Sequence, residues 1–411
     1  MERSILHCDM NNFFASVECR KDPTLRDKPV AVCGDREERH GIVLAKNEIA
    51  KRYGIVTGEP TGRAQSKCPS LVIVPPHYDD YLYFSARARE IYARYTDLVE
   101  PFGADECWLD VTGSQRLFGE GRVIAEELRR TVERELGLTI SVGVSFNKVF
   151  AKLGSDMKKP NAVTCVPASR FREIVWKLPT SDLLGVGRTT AGTLASCGIY
   201  TIGQLAQAYP PLLKQKLGKN GLMLKEAANG RDEAPVLPLS YEVLIKSVSH
   251  GTTTRRDMTS YEEVWPVLLG LSEEIGHRLL SCHKRARGVS LSLRDNRLQT
   301  KQLQTRLAVP TDSYFHLAKE GFRLMQSRYH FDLPLRSISI GAIDLCEADT
   351  PYQQTFFCED EKLERREALE RVMEGINLRY GQGKIRYGIL FSPSGEEIGR
   401  GFGFGRREEL H

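Results

Sequence analysis

Two short apolar segments carry carboxylates where a β-strand ordinarily carries Val or Ile. They are Ile5-Leu6-His7-Cys8-Asp9-Met10 and Gly103-Ala104-Asp105-Glu106-Cys107-Trp108-Leu109-Asp110. Neighbouring Asp105 and Glu106 repel each other and are costly on a partly buried strand unless a cation sits between them. That need constrains the fold, because it places the two segments on adjacent strands with their acids converging. Magnesium suits such a site, since it takes hard oxygen ligands and is usually held by one or two carboxylates plus substrate phosphates. Asp9, as a third carboxylate, would complete a site for two ions ~4 Å apart, the arrangement used for in-line phosphoryl transfer. Taken singly, each acid reads better as a strand-end or surface group; the combination, with the residues around it, points to metal.

A chain of 411 residues exceeds one ordinary core and implies three or four domains. With 27% charged and 41% hydrophobic residues, the composition is that of a soluble globular protein. Apolar runs stay short of the ~18 residues of a membrane span, and Met1-Glu2-Arg3-Ser4 does not open a signal peptide. The ten cysteines are scattered without a C-x-x-C pair, which indicates neither a zinc site nor a disulfide framework and fits a reducing cytoplasm. The net charge is only +5, but residues 241–346 hold 15 Lys and Arg against 11 Asp and Glu and so carry four of those charges. Basic groups gathered on one face matter more for polyanion binding than the total.

Up to about residue 166 the pattern alternates strands and helices, giving an α+β layer with one sheet and helices behind it. Val30-Ala31-Val32-Cys33, Leu71-Val72-Ile73-Val74 and Thr139-Ile140-Ser141-Val142-Gly143-Val144 are strand-like, while residues 78–100 and 122–136 have helical spacing. Residues 167–231 read as helical and contain Leu183-Leu184-Gly185-Val186-Gly187-Arg188-Thr189-Thr190-Ala191-Gly192-Thr193-Leu194, similar to a helix-hairpin-helix. Its glycines let backbone N–H groups at a helix start approach a phosphate; an ordinary turn between helices is the alternative. Residues 232–240, with Pro235 and Pro238, form a linker. Strands over 243–249, 289–294, 303–307 and 336–345 and helices over 261–281 and 312–328 then follow in split βαβ order. Arg294, Arg297, Lys301 and Arg306 are expected on one side of that sheet, either to meet phosphates or as a solvated face. A charged amphipathic helix over 361–380 would turn Leu363, Leu369, Val372, Met373 and Ile376 to one side.

His7-Cys8-Asp9-Met10-Asn11-Asn12-Phe13-Phe14-Ala15-Ser16-Val17-Glu18, Asp105-Glu106-Cys107-Trp108-Leu109-Asp110 and Ser145-Phe146-Asn147-Lys148-Val149-Phe150-Ala151-Lys152-Leu153-Gly154-Ser155-Asp156-Met157-Lys158-Lys159-Pro160-Asn161 stand in that order. They resemble the three motifs of the Y-family DNA polymerases, the translesion enzymes of the bacterial DNA polymerase IV and UmuC type. The resemblance, followed from Ser4 to Leu345, implies a multidomain right-hand α+β polymerase. The palm, with an antiparallel sheet, would span 1–21 and 78–166, the small fingers 22–77 and the helical thumb 167–231. The linker at 232–240, a βαββαβ little finger at 241–346 and a tail at 347–411 would complete it. The implied activity is template-directed, low-fidelity DNA synthesis from dNTPs on primer-template DNA, without a proofreading exonuclease.

By the same resemblance, Asp9 and Asp105 bridge two magnesium ions, the Met10 carbonyl helps the nucleotide metal, and Glu106 completes the catalytic metal. Phe14 matches the steric gate, a ring beneath the sugar that leaves no room for a 2′-hydroxyl. One of the Phe13–Phe14 pair is expected in the core; Phe13, Lys51 and Lys159 are the candidates for nucleotide binding, with Lys158 and Lys152 competing for the last role. Ala45, Glu48 and Lys51 stand where Ser/Thr, Tyr and Arg are usual, and Asn11 replaces a frequent Asp, which puts the triphosphate contacts in question. Glu48 would orient Lys51. Gln353-Gln354-Thr355-Phe356-Phe357 resembles the sliding-clamp pentapeptide, with Gln353, Phe356 and Phe357 as anchors. A monomeric cytoplasmic protein, not bound to membrane, is expected. A non-catalytic scaffold would have lost a metal carboxylate, and a nucleotide cyclase would need no grip on a duplex.

Overall fold

The computed structural model describes residues 2–35, 41–241, 244–352, 359–381 and 383–391. The chain divides into two units near residue 242. The first holds β1 (Ile5–Met10), β2 (Val30–Cys33), β3 (Val43–Lys46), β4 (Val72–Val74), β5 (Val99–Phe102), β6 (Glu106–Asp110), β7 (Ile140–Ser145) and β8 (Val163–Val166). The principal sheet has the order β5-β6-β1-β7-β8, while β3-β2-β4 make a separate small sheet with its own core of Ala31, Val43, Ala50, Ile55 and Leu71. There are therefore two sheets where the sequence pattern suggested one. The principal sheet is antiparallel except at its edge, where β7 and β8 run parallel.

All six residues of β1 are buried. Successive side chains on a strand point to opposite faces. Leu6, Cys8 and Met10 join the core shared with helices Tyr78–Tyr92 and Gly121–Leu136. Ile5, His7 and Asp9 take the other face, which meets helix Lys148–Met157. The helical spacing from residue 78 overran: the helix ends at Tyr92, and Val99–Phe102 forms an edge strand. Pro101 explains the choice, since proline breaks a helix interior yet fits an edge strand.

Helices Phe171–Val175, Arg188–Ser196, Ile202–Gln207 and Pro210–Ala228 form a further core with Phe150 and Val166. Gly185 adopts φ 88° before Gly187 caps the second of these helices. Residues 232–240 have no helix or strand, as the prolines suggested, but they are strapped to the first unit. Leu237 donates its N–H to Glu100, Arg3 reaches the Ala234 carbonyl, and Val236 is buried beside Ile5 and Trp108.

The second unit holds β9 (Ser247–Met258), β10 (Lys284–Asp295), β11 (Thr300–Thr311) and β12 (Leu335–Glu347) in the order β11-β10-β12-β9, all neighbours antiparallel. Helices Tyr261–Ser281 and Tyr314–Arg328 bury one face of this sheet. The first strand lies later than 243–249 because β9 is an edge strand whose polar stretch His250-Gly251-Thr252-Thr253-Thr254-Arg255-Arg256 carries little apolar signal. Register divides the four basic residues. Arg294 and Arg306 stand opposite Thr300 and Gly288 on the open face, whereas Lys301 pairs with inward Leu293 and donates to the Arg328 carbonyl at a helix end. Lys301 is thus a helix cap, and Arg297 sits in the connecting turn.

Helix Glu359–Tyr380 packs on this unit by a different face from the expected one. Leu363, Glu367, Glu370, Met373 and Asn377 are buried, while Leu369 and Val372 are 50% and 61% exposed. Glu367 receives Arg285 at 2.6 Å and the Thr311 hydroxyl at 2.7 Å. Glu370 takes N–H groups of Tyr314 and Phe315 and the Ser313 hydroxyl at the start of a helix. Buried charges persist only when paired in this way. Burial pushes Glu370 up to about 7, and the Glu374 carboxylate raises His277 on the facing helix. For both groups the docked state holds its proton more tightly than the free state, so their stabilisation is present at low pH. It is lost as pH rises from the free carboxyl value through about 7 for Glu370, and through the raised His277 value. Amide exchange over 359–380, corrected for intrinsic rates, is expected to be slower near pH 6 than near pH 8; equal protection would contradict this.

Candidate active site

Antiparallel register sets Asp9 directly opposite Glu106 and His7 opposite Trp108. Asp105 precedes β6 on the turn after Gly103, and its carbonyl accepts the Met10 N–H at 3.1 Å. Asp9 and Glu106 face each other across the strand pair, while Asp105 stands at the strand entry rather than within the strand, near enough to feel both charges.

The helix after β7 brings cations to them. Asn147 caps that helix by accepting the Phe150 N–H. Lys152 Nζ lies 2.7 Å from Glu106 Oε2 and 3.1 Å from Asp9 Oδ2. Lys159 Nζ is 2.7 Å from the same Asp9 oxygen and 2.6 Å from Asp156. Of the three competing lysines, Lys152 and Lys159 reach the carboxylates; Lys158 lies exposed.

Burial, then the charges of Asp9 and Glu106, push Asp105 up to about 6. Burial also works to raise Glu106, but the His7 ring and the Lys152 ammonium lying against it overcome that and hold the carboxyl well below the usual range. Burial opposes the charge on Lys152, yet Asp9 and Glu106 raise it above an ordinary lysine. Desolvation keeps His7 below an ordinary histidine. One atom each of His7, Asp9 and Glu106 lie within 4.8 Å of one another. Converging carboxylates, one disfavoured by its neighbours' charge, fit a hard divalent cation.

Phe14 stacks on Tyr81 with ring centroids 4.1 Å apart and planes 8° from parallel, and meets Tyr78 edge-on at 6.0 Å. The Tyr81 hydroxyl donates to buried Glu18. Phe13, 4% exposed, belongs to the core instead of the site surface. Lys51 is half-exposed and lies 3.5 Å from Glu48, whose carboxylate accepts the Asn12 amide at 3.0 Å. Glu48 therefore links the helix Glu48–Arg52 to the turn before Phe13 and holds Lys51. Asn11 is held by two hydrogen bonds: its amide donates to Ser141, the register partner of Asp9, and its oxygen accepts the Asn161 N–H.

Sequence reasoning passed over His7 as a site residue, although period two places it on the face of Asp9. It also missed Asp156, Tyr81 and Glu18, whose roles depend on contacts distant along the chain. Gln353, Phe356 and Phe357 lie outside the described residues.

The impB/mucB/samB family model matches residues 8–156, and the C-terminal domain model of that family matches residues 245–356. The DNA polymerase IV of Acetivibrio thermocellus is 46% identical over 96% of this chain and 99% of its own length. DNA polymerase IV 1 of Bacillus subtilis is 37% identical over 94% of this chain and 92% of its own. A solved Y-family DNA polymerase chimera superposes with a TM-score of 0.75 at 22% identity, over 84% of this chain and 99% of its own.

Proposed function

Since the chain belongs to the impB/mucB/samB family and is a Y-family translesion DNA polymerase of the DNA polymerase IV type, we propose that its chemistry is centred on Asp9, Asp105 and Glu106. It acts on primer-template DNA and dNTPs, and its family depends on divalent metal. The observation that carries the reading is the Asp9–Glu106 strand pairing, with two ammonium groups lying between carboxylates where divalent cations fit.

We assign two magnesium ions to this site. Bound there, they would stabilise the attacking primer oxygen and the leaving pyrophosphate. Asp9 and Asp105 would hold both, the Met10 carbonyl would assist at the nucleotide side, and Glu106 would complete the catalytic one. Lys159 would pass from Asp9 to the triphosphate, whose charge suits a compact ammonium. Phe14, braced by Tyr81 and Tyr78, gates the sugar. Lys51, steered by Glu48, is the candidate contact from the small sheet's helix; Phe13 is a core residue.

In this reading 1–21 and 78–166 form the palm, 22–77 the fingers, 167–231 the thumb, 232–240 the linker and 241–346 the little finger. Gly185 and Gly187 open a helix start toward duplex phosphate. The open face of the β9–β12 sheet, with Arg294, Arg306 and small residues such as Ser339 and Gly341, offers a second track along the backbone. Work in a reducing cytoplasm is consistent with the free state of the described cysteines, and a monomer is proposed. Among the described residues no helix is long and apolar enough to cross a membrane.

Residues 353–357 are proposed to dock on the sliding clamp. Phe356→Ala combined with Phe357→Ala is expected to remove clamp-stimulated processivity and leave clamp-free extension intact, since buried aromatic anchors carry ~2 kcal/mol or more each. Equal clamp binding by the variant in a titration would make this segment an ordinary linker. For the enzyme itself, primer extension with magnesium and four dNTPs should copy the template base by base. Absent extension, or addition that ignores the template, would overturn the reading.

A further inference from the structure

His7 is fully buried on the site face of β1, yet neither of its ring nitrogens is spent on packing. Its strand neighbours are Trp108 on β6 and Gly143 on β7. The Trp108 ring stands edge-on at 5.2 Å, and its indole N–H is fixed on the Lys148 carbonyl. Gly143 has no side chain to spare: a Cβ there would lie 1.9 Å from the Ala151 carbonyl and 2.5 Å from the Ser155 nitrogen. Helix Lys148–Met157 consequently rests against the strand and delivers the Ser155 hydroxyl to within 2.9 Å of His7 Nδ1. At the other end of the ring, Nε2 faces Glu106 Oε2 at 3.1 Å. Neither atom has an aligned hydrogen bond, although Lys152 also lies against that oxygen.

A histidine serving only to fill the core would have no reason to face a carboxylate at one end and a hydroxyl at the other. We infer that Ser155 and His7 form a relay that positions Glu106 as a metal ligand, with His7 Nε2–H donating to the carboxylate and Ser155 O–H donating to Nδ1. The hydroxyl has a second acceptor, the Lys152 carbonyl at 2.7 Å, so it can serve the helix or the ring. With Lys152 on Glu106, the carboxylate is already neutralised and the ring bond lies off line. With a divalent cation bound in place of that ammonium, Glu106 would help hold the cation and the imidazole would orient Glu106, the way donors behind a metal ligand do. His7 is a positioning residue in this scheme, since it acts through Glu106. The inference rests on the reading of Glu106 as a metal ligand.

The probe is Mn²⁺ binding to the full chain with primer-template DNA, followed by electron paramagnetic resonance. His7→Phe keeps the ring volume and removes both nitrogens; it should weaken Mn²⁺ binding ~10–100-fold, the usual loss when a partner behind a ligand is removed. His7→Gln restores a donor and should recover most of the affinity, and Ser155→Ala should give a smaller loss of the same kind. The KM for dNTP should hold while the Mn²⁺ requirement shifts. Should His7→Phe fail to fold, the ¹⁵N spectrum of wild-type His7 with Mg²⁺ decides: the Nε2–H tautomer is expected, and an Nδ1–H tautomer would overturn the relay. Wild-type Mn²⁺ affinity in His7→Phe would overturn it as well. If Glu106→Gln leaves Mn²⁺ affinity unchanged, the metal-site reading itself fails; if Glu106→Gln weakens binding and His7→Phe does not, the relay alone fails.

Discussion

Glu106→Ala is expected to lower the rate of single-nucleotide addition by ~10³-fold or more while leaving primer-template affinity near wild type. Removing one preorganised electrostatic stabiliser typically costs ~10²–10³ in rate, and a metal ligand does more because it also fixes where the cation sits. The expectation extends to Asp9→Ala and Asp105→Ala, which stand with Glu106 around the same point. Duplex binding should persist because the groups assigned to the DNA backbone, near Gly185 and on the open β9–β12 face, are built from other elements. Single-turnover addition together with a DNA-binding titration checks both halves. Near-normal turnover in Glu106→Ala would remove this residue from the chemistry.

Phe14→Ala should reduce discrimination between dNTP and rNTP by ~10²-fold, with a modest loss of dNTP incorporation. In the proposed role the ring would exclude the 2′-hydroxyl by volume and give it no hydrogen-bond partner, and a misfit of this size in a shaped pocket is worth about that factor. Tyr81, stacked at 4.1 Å and tied to Glu18, would hold the ring in place for that role. Phe13→Ala makes the contrasting control. Truncating this buried ring should cost about 3–5 kcal/mol of stability and leave sugar choice unchanged. Competing rNTP and dNTP incorporation by each variant gives the comparison; undiminished rejection of rNTP by Phe14→Ala would assign the sugar to another residue.

Much of the site was legible because its signal is local. Acids inside apolar runs name Asp9, Asp105 and Glu106 before any strand pairing is known, and the register then sets Asp9 against Glu106. The βαββαβ order likewise followed from periodicity, with its weakest element at the polar edge strand β9. What escaped depends on partners far along the chain. Apolar spacing could not show that Glu367 and Glu370 would be buried in place of Leu369 and Val372, because Arg285, Thr311 and the Tyr314–Arg328 helix start supply the compensation. Lys301 resembled its basic neighbours until register placed it against Leu293. Asn11, whose departure put the triphosphate contacts in question, brackets the turn after β1 to Ser141 and to the Asn161 N–H, partners far along the chain.

Asp9, Asp105 and Glu106 are proposed to gather two divalent ions for nucleotidyl transfer. Counting bound Mn²⁺ in the complex of protein, 3′-deoxy primer-template and incoming dNTP tests this most directly. Two ions per wild-type complex are predicted, with one lost in Glu106→Gln and both weakened in Asp9→Asn. A wild-type complex that binds no ion at this site, or a Glu106→Gln complex that keeps both at wild-type affinity, would contradict the account.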